Sequence, residues 1–553
     1  MKLFNLRPTL LMIFIMILSV TANCGGGGGG GGSSSGNPPP QPTDVSVSGM
    51  ITFDYVPATQ TSGLDYSSTY QKPARAVVVE ALNASDSSLL DTTTTDSSGY
   101  YTLTVPVNTD VIIRVKAQML RTGTPSWDFQ VVDNTNNKAL YAMQSASFNS
   151  GTSDISNKDL NAPSGWGGTG YTSTRVAAPF AILDVVYQAV QKVITADPTV
   201  TFPQLLINWS VNNVPTPGDK TLGQIGSSHY DPNEKELYIL GKEDNDTDEY
   251  DGHVIAHEWG HYFEDRFSRS DSIGGNHFTG DKLDPRVAFG EGFGNAFSGM
   301  ATDDPYYIDT SGTFQGNISL FMDLEDNDSD PVSIGWYSEE SVQSILYDLY
   351  DSVDDGVDTV SLGFQPIYDV LVNEQKNTDS FTTIFSFISF LKNRYASNPT
   401  ILAGINSLLA YENITTTAVD EWDSTETETN DGGNPDSLPV YTKLTVGGPA
   451  VQICGSGEFG YPNKLMNFRF FYFEITKQGS YTITAVPVLL NGNPGIGLFS
   501  KGQYIGSVDN GGNGATETLT VTLSPGYYVG VISEVDNLTG VYKGESCFNV
   551  SLN

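Results

Sequence analysis

The sequence predicts a multidomain chain: an α+β domain in the middle, flanked by two all-β sandwich modules. Three observations carry this reading. Short β-branched or alternating runs, separated by turn residues, fill 44–117 and 438–553. Between them, from 173 to 425, apolar residues recur at helical spacing. The composition, 39% hydrophobic and 11% aromatic with 57 Gly, is that of a folded, loop-rich chain rather than a disordered one.

The elements follow in order. Residues 1–23 read as a secretory signal peptide: Lys2 and Arg7 precede an apolar stretch (LLMIFIMILSV, 10–20) and then small residues. Two processing readings stand. Val20-Thr21-Ala22 offers signal peptidase small residues at −3 and −1. Alternatively Cys24 becomes the lipidated first residue of a bacterial lipoprotein, with Asn23 an unusual residue just before it. Eight glycines and SSSGNPPPQP follow Cys24 at once, so 24–43 is a flexible tether with a stiffer end. A tether directly after a Cys suits an anchored Cys. The chain is therefore expected to be exported, either as a surface lipoprotein touching the membrane only through lipid or as a secreted protein.

Within 44–117, VSVSGMITF, AVVVEAL, YYTLTVP and VIIRVKA read as strands of a small sandwich. The polar, Asn/Ser/Gly-rich stretch 118–172 reads as a connector. RVAAPFAILDVVYQAVQKVI then has a helical apolar period (Val176, Phe180, Leu183, Val186, Tyr187, Val190). FPQLLINWS and KELYILG read as strands. Helices are expected around 251–267, 285–301, 338–351 and 380–396. STETETNDGGNPDS places a linker at 426–437, and 438–553 returns to strands. Apart from Cys24, the cysteines are an even pair, Cys454 and Cys547; outside the cytosol such a pair is expected to be bonded.

Charge narrows the partners. Lys+Arg number 27 and Asp+Glu 64, a net charge of −37. Phosphate-backbone binding needs clustered cations, so no nucleic acid is expected.

Chemistry concentrates in DGHVIAHEWGHYFEDRF. Only five histidines occur, and two of them, His257 and His261, stand four apart with Glu258 between. On a helix such a pair shares one face, about 6 Å apart, and both imidazoles can take one tetrahedral Zn²⁺. Glu258 lies about 100° around the helix and can reach a zinc-polarised water as general base without being a ligand. Glu264 and Phe267 occupy the places where an HExxHxxGxxH pattern needs Gly and His, so that pattern is absent. A third ligand must come from elsewhere. In DPRVAFGEGFGNAFSGM, Asp284 can cap a helix, Pro285 suits its first turn, and Glu291 and Asn295 share a face. Gly290, Gly292, Gly294 and Gly299 each weaken a helix by about 1 kcal/mol, which implies close packing, with the HExxH helix as the natural partner.

HEWGH and GEGFGNAF resemble the two motifs of the gluzincins, the zinc-peptidase group of thermolysin, fungalysin and the bacterial collagenases. The resemblance implies a zincin-like α+β fold over 173–425 and a zinc metalloendopeptidase acting on proteins or peptides. By it, His257, His261 and Glu291 bind zinc, Glu258 is the catalytic base, and Asn295 orients His257 where thermolysin-like enzymes carry Asp. That family also uses a downstream His to hold the oxyanion. No His follows His277 here, and Tyr337, in GWYSEES, stands near that place, so Tyr337 is the expected donor. The order of strands in 44–117 resembles carboxypeptidase-regulatory-like modules. FYFEITKQGSYTITA and TLTVTLSPGYYVGV resemble the pre-peptidase C-terminal domain of secreted bacterial proteases.

Two other functions compete. A single-zinc aminopeptidase would need a G-x-M-E-N strand, and none precedes His257. A surface binding or adhesion protein with an inactive peptidase fold would not need the intact HExxH and Glu291. Finally, Glu243–Asp248 and Glu325–Asp330 are echoing acidic runs. Alternating Asp suits a structural Ca²⁺, but neither run completes the D-x-D-x-D-G-x₅-E loop, so a solvated acidic turn stands beside that reading.

Overall fold

The computed structural model describes residues 43–327, 333–352, 356–414, 420–422, 435–455, 461–539 and 542–553. The signal peptide, Cys24, nearly all of the tether and most of the 426–437 linker lie outside the described residues.

A ten-stranded sheet organises the first half of the chain. Along its main path the strands run His229–Asp231, Glu236–Ile239, Leu205–Trp209, Trp127–Asp133, Asp110–Arg121, Val77–Asn83, Leu89–Thr94. Leu205–Trp209 is parallel to both of its neighbours, Trp127–Asp133 and Glu236–Ile239. The structure thus joins what the sequence separates. The strands of 44–117 and those after 173 share one sheet, and its middle strand comes from the expected connector 118–172. Trp127–Asp133 explains why: Trp127, Phe129 and Val131 alternate into the core within a locally polar stretch. A second sheet, with Asp44–Tyr55 paired to Tyr100–Pro106, shares the same hydrophobic core. That core continues without a break through Ile207, Trp259 and Phe297 into the helices.

Four helices frame the site. Helix α1 (Ala178–Ala196) starts with Pro179 in its first turn and buries Phe180, Leu183, Val186 and Val190. Helix α2 (Gly252–Phe267) carries HEWGH and buries Ile255, Trp259, Tyr262 and Phe263. Helix α3 (Pro285–Thr302) is capped by Asp284, whose carboxylate accepts from Arg286 N, and is buried almost along its whole length. Helix α4 (Glu339–Tyr350) is capped by Ser338 and packs on α3.

The glycines of α3 let three neighbours approach, not one. A Cβ on Gly294 would lie 2.8–3.0 Å from the His257 ring. One on Gly292 would meet Val342 and Glu339 O of α4, and one on Gly299 would meet Leu324 and Tyr347. Close packing against α2 is thus one of several reasons for this composition.

Beyond the linker, a five-stranded and a four-stranded sheet enclose a separate core that includes Ile453, Phe471, Phe473, Ile483, Leu498 and Phe548. Cys454 and Cys547 face each other on antiparallel neighbouring strands and are disulfide-bonded. This β-module meets the start of α3, where the Arg286 guanidinium lies 4.7 Å from the Phe381 ring and 4.9 Å from Phe470. Among the described residues no helix is long and apolar enough to cross a membrane.

Candidate metal centre

Helix α2 presents His257 and His261 one turn apart, and α3 brings Glu291 between them. His257 Nε2 and His261 Nε2 are 2.9 Å apart. Glu291 Oε2 is 3.3 Å from the first and 3.2 Å from the second. Ligands at about 2.0–2.1 Å from a tetrahedral Zn²⁺ are separated by about 3.3 Å, so this triangle of two nitrogens and one carboxylate oxygen fits such an ion. Burial opposes ionisation of Glu291, but the histidines around it hold its carboxyl well below the usual carboxylate range.

Each part is held from behind. His257 Nδ1 lies 2.8 Å from Asn295 Oδ1, which turns Nε2 toward Glu291. Asn295 is one turn along α3 from Glu291, and Gly294 leaves room for the imidazole. Glu258 Oε2 accepts from Tyr230 N at 2.8 Å. Tyr230 Oη donates to Asp265, so the sheet's edge strand His229–Asp231 grips α2 at two points.

The structure places Tyr337 otherwise than the sequence suggests. Its hydroxyl donates to Ile334 O at 3.1 Å, its ring packs on Trp336, and its backbone carbonyl accepts from Leu283 N. The histidine that faces Glu291 from outside α2 is His277. Its Nε2 is 3.6 Å from Glu291 Oε2 and 3.4 Å from Glu339 Oε2. Burial alone would lower its pKa, but Glu339 and Glu291 hold it up to about 9, while burial pushes the Glu339 carboxyl itself up to about 8. Gly274 and Gly275, at φ 58° and 108°, turn the loop before it, and Nδ1 lies 3.1 Å from Gly275 O. Sequence reasoning set His277 aside because it precedes Glu291. The signal that could have found it is scarcity: only five histidines occur, and the other two have other partners. His253 Nε2 lies against Asp304 O, and His229 Nδ1 against Ser227 O.

Residues 197–395 match the family described as the Mycolysin C-terminal domain. This is less than half of the chain, but it includes HEWGH, His277 and Glu291, and it supports a metallopeptidase-type architecture for this region. None of the curated proteins matches. Among solved structures, the pre-peptidase C-terminal domain of a Bacillus anthracis collagenase aligns at 15% identity over 20% of this chain and 94% of that one, with a TM-score of 0.16. A surface-associated copper-binding protein, CorA, of Methylomicrobium album BG8 aligns at 11% identity over 20% and 98%, with a TM-score of 0.17. A carbohydrate binding module from Cellvibrio mixtus lichenase 5A aligns at 18% identity over 19% and 86%, with a TM-score of 0.13. At such TM-scores these likenesses carry no argument.

Proposed function

We propose that the chain is an exported zinc metalloendopeptidase that hydrolyses peptide bonds of proteins. The observation that carries this reading is the triangle of His257 Nε2, His261 Nε2 and Glu291 Oε2, with the carboxylate of Glu258 one residue from the first ligand. Zinc, when bound there, supplies a Lewis acid that polarises the attacking water and the scissile carbonyl.

The protein's own groups do the rest. Glu258 takes the proton of the attacking water and passes it to the leaving amine. The Tyr230 N–H holds one oxygen of that carboxylate and so fixes which way the other faces. Asn295 fixes the tautomer and tilt of His257. His277 presents a ring nitrogen beside the ligands, and we assign the oxyanion to it in place of Tyr337. The N-terminal signal sequence and the paired cysteines agree with export.

The test is a casein zymogram of the full chain. Clearing should disappear with a chelator and return with Zn²⁺. Clearing unaffected by the chelator, or none with one zinc bound, would reject the reading.

A further inference from the structure

We propose that Asp246, Asp248 and Asp309 form a Ca²⁺ site that ties the segment leading into α2 to the strand Tyr306–Ser311. The site is separate from the zinc ligands and does not depend on the proposed peptidase activity.

Three observations support it. First, one carboxylate oxygen from each of the three residues lies within 4.8 Å of the others. Two oxygens bound to one Ca²⁺ at about 2.3–2.6 Å are at most about 5 Å apart, so these three can share an ion. Second, Oδ1 of each is buried and takes no hydrogen bond from the protein. Asp248 is only 3% exposed, and its other oxygen accepts from Ser228 Oγ. A buried, unpartnered carboxylate oxygen costs several kcal/mol unless a proton or cation neutralises it. Third, no protein cation does so. Among the described residues no Lys, Arg or His forms an ion pair with these three, and the nearby Arg175 is bound to Glu249 instead. A fourth acid, Asp251, crowds the same place while accepting from Thr310 N and Oγ1, and burial and Asp309 push its carboxyl well above the usual carboxylate range. Burial and mutual repulsion push the Asp309 carboxyl up to about 7, as expected for acids crowded without a cation.

The donor set is oxygen only, from two paired strands and the start of a 3-10 helix rather than a rigid cage. That suits Ca²⁺, which accepts irregular shells of 6–8 oxygens completed by water, better than Mg²⁺ or Zn²⁺. The site differs from a simple acidic loop. Asp244 and Glu243 turn away, to Phe314 N and Tyr171 N, while Asp309 comes from a strand beyond the zinc ligands in the chain. Tyr307 stands two residues before Asp309, hence on the same side of the strand, and its ring meets His257 edge-on at 6.3 Å. An ion on Asp309 would therefore steady the strand that backs a zinc ligand.

The experiment uses the full, zinc-loaded chain in calcium-free buffer. Its melting temperature is followed against added Ca²⁺, with Mg²⁺ as control and zinc content monitored by plasma mass spectrometry. The expected result is a saturable rise of several degrees with Ca²⁺, one Ca²⁺ retained per chain, and zinc unchanged. Asp309→Asn should weaken the calcium response roughly tenfold or more in concentration. It should also melt higher than the wild type when calcium is withheld, because it removes one of three acids crowded without a cation. If Asp309→Asn does not fold, Asp246→Asn carries the same expectation from the other segment. A wild type unmoved by millimolar Ca²⁺, or a variant that responds as the wild type does, would overturn the site and leave protons as the neutralising species.

Discussion

Two clusters of ligand-type side chains lie along one stretch of chain, and they are built differently. The cluster between α2 and α3 holds two imidazoles and a carboxylate, and His257 is oriented from behind by Asn295. The other cluster joins Asp246 and Asp248, just before α2, to Asp309 on the strand Tyr306–Ser311, and Oδ1 of each has no protein partner. The difference reflects the donors. An imidazole binds through one lone pair in the ring plane, so it needs a fixed scaffold and a second hydrogen bond to set its tilt. A carboxylate offers oxygens in several directions and tolerates ligands drawn from separate short elements. The first arrangement suits chemistry and the second suits bracing.

The largest expected effect separates the two clusters outright. Glu291→Gln should lower zinc content below one per chain and proteolysis by roughly 10³-fold or more, because a ligand charge is lost. Asp309→Asn should leave zinc content intact. Metal analysis of the two variants side by side checks this, and zinc loss in both would merge the clusters into one.

Next comes the proposed oxyanion donor. His277→Gln should lower kcat by roughly 10²–10³-fold, or about 3–4 kcal/mol, with zinc retained and KM little changed. Tyr337→Phe should stay within about threefold of the wild type, since its hydroxyl serves Ile334 O. Steady-state kinetics on a peptide substrate would show the reverse order if Tyr337 were the donor.

Smaller effects probe the supports. Gly294→Ala should cost about 1–3 kcal/mol of stability and weaken zinc binding, since the added methyl meets the His257 ring. Thermal melts and zinc titration together measure both. Cys454→Ser with Cys547→Ser opens a loop closed across a separation of 93 residues and should lower the stability of the C-terminal module by about 2–4 kcal/mol. Hydrolysis of a short peptide should not change, because the pair joins strands of a module with its own core.

The contrast between the clusters also explains what could be read from the sequence. His257, Glu258 and His261 were legible because helical geometry converts a spacing of four into a shared face. Glu291 and Asn295 were legible by the same rule on a second helix, once Asp284 and Pro285 marked its start. Tyr337 was read from its position along the chain, and its hydroxyl is bonded to Ile334 O. His277 reaches the site through a glycine-rich loop that has no periodicity to read. Asp309 was invisible for the same reason, since a strand residue sixty positions from its partners leaves no local pattern. The sheet crossing the expected 117/173 boundaries escaped because Trp127–Asp133 is one short strand within polar surroundings, paired in parallel with a strand far along the chain.

The central claim is that Glu258 acts as general base beside a zinc ion held by His257, His261 and Glu291. Its most direct test compares casein hydrolysis by the zinc-loaded wild type and Glu258→Gln, with zinc measured in the same samples. The account predicts one zinc per chain in both and a loss of roughly 10³-fold or more in rate for the variant. A variant that keeps its zinc and cleaves casein at the wild-type rate would contradict it.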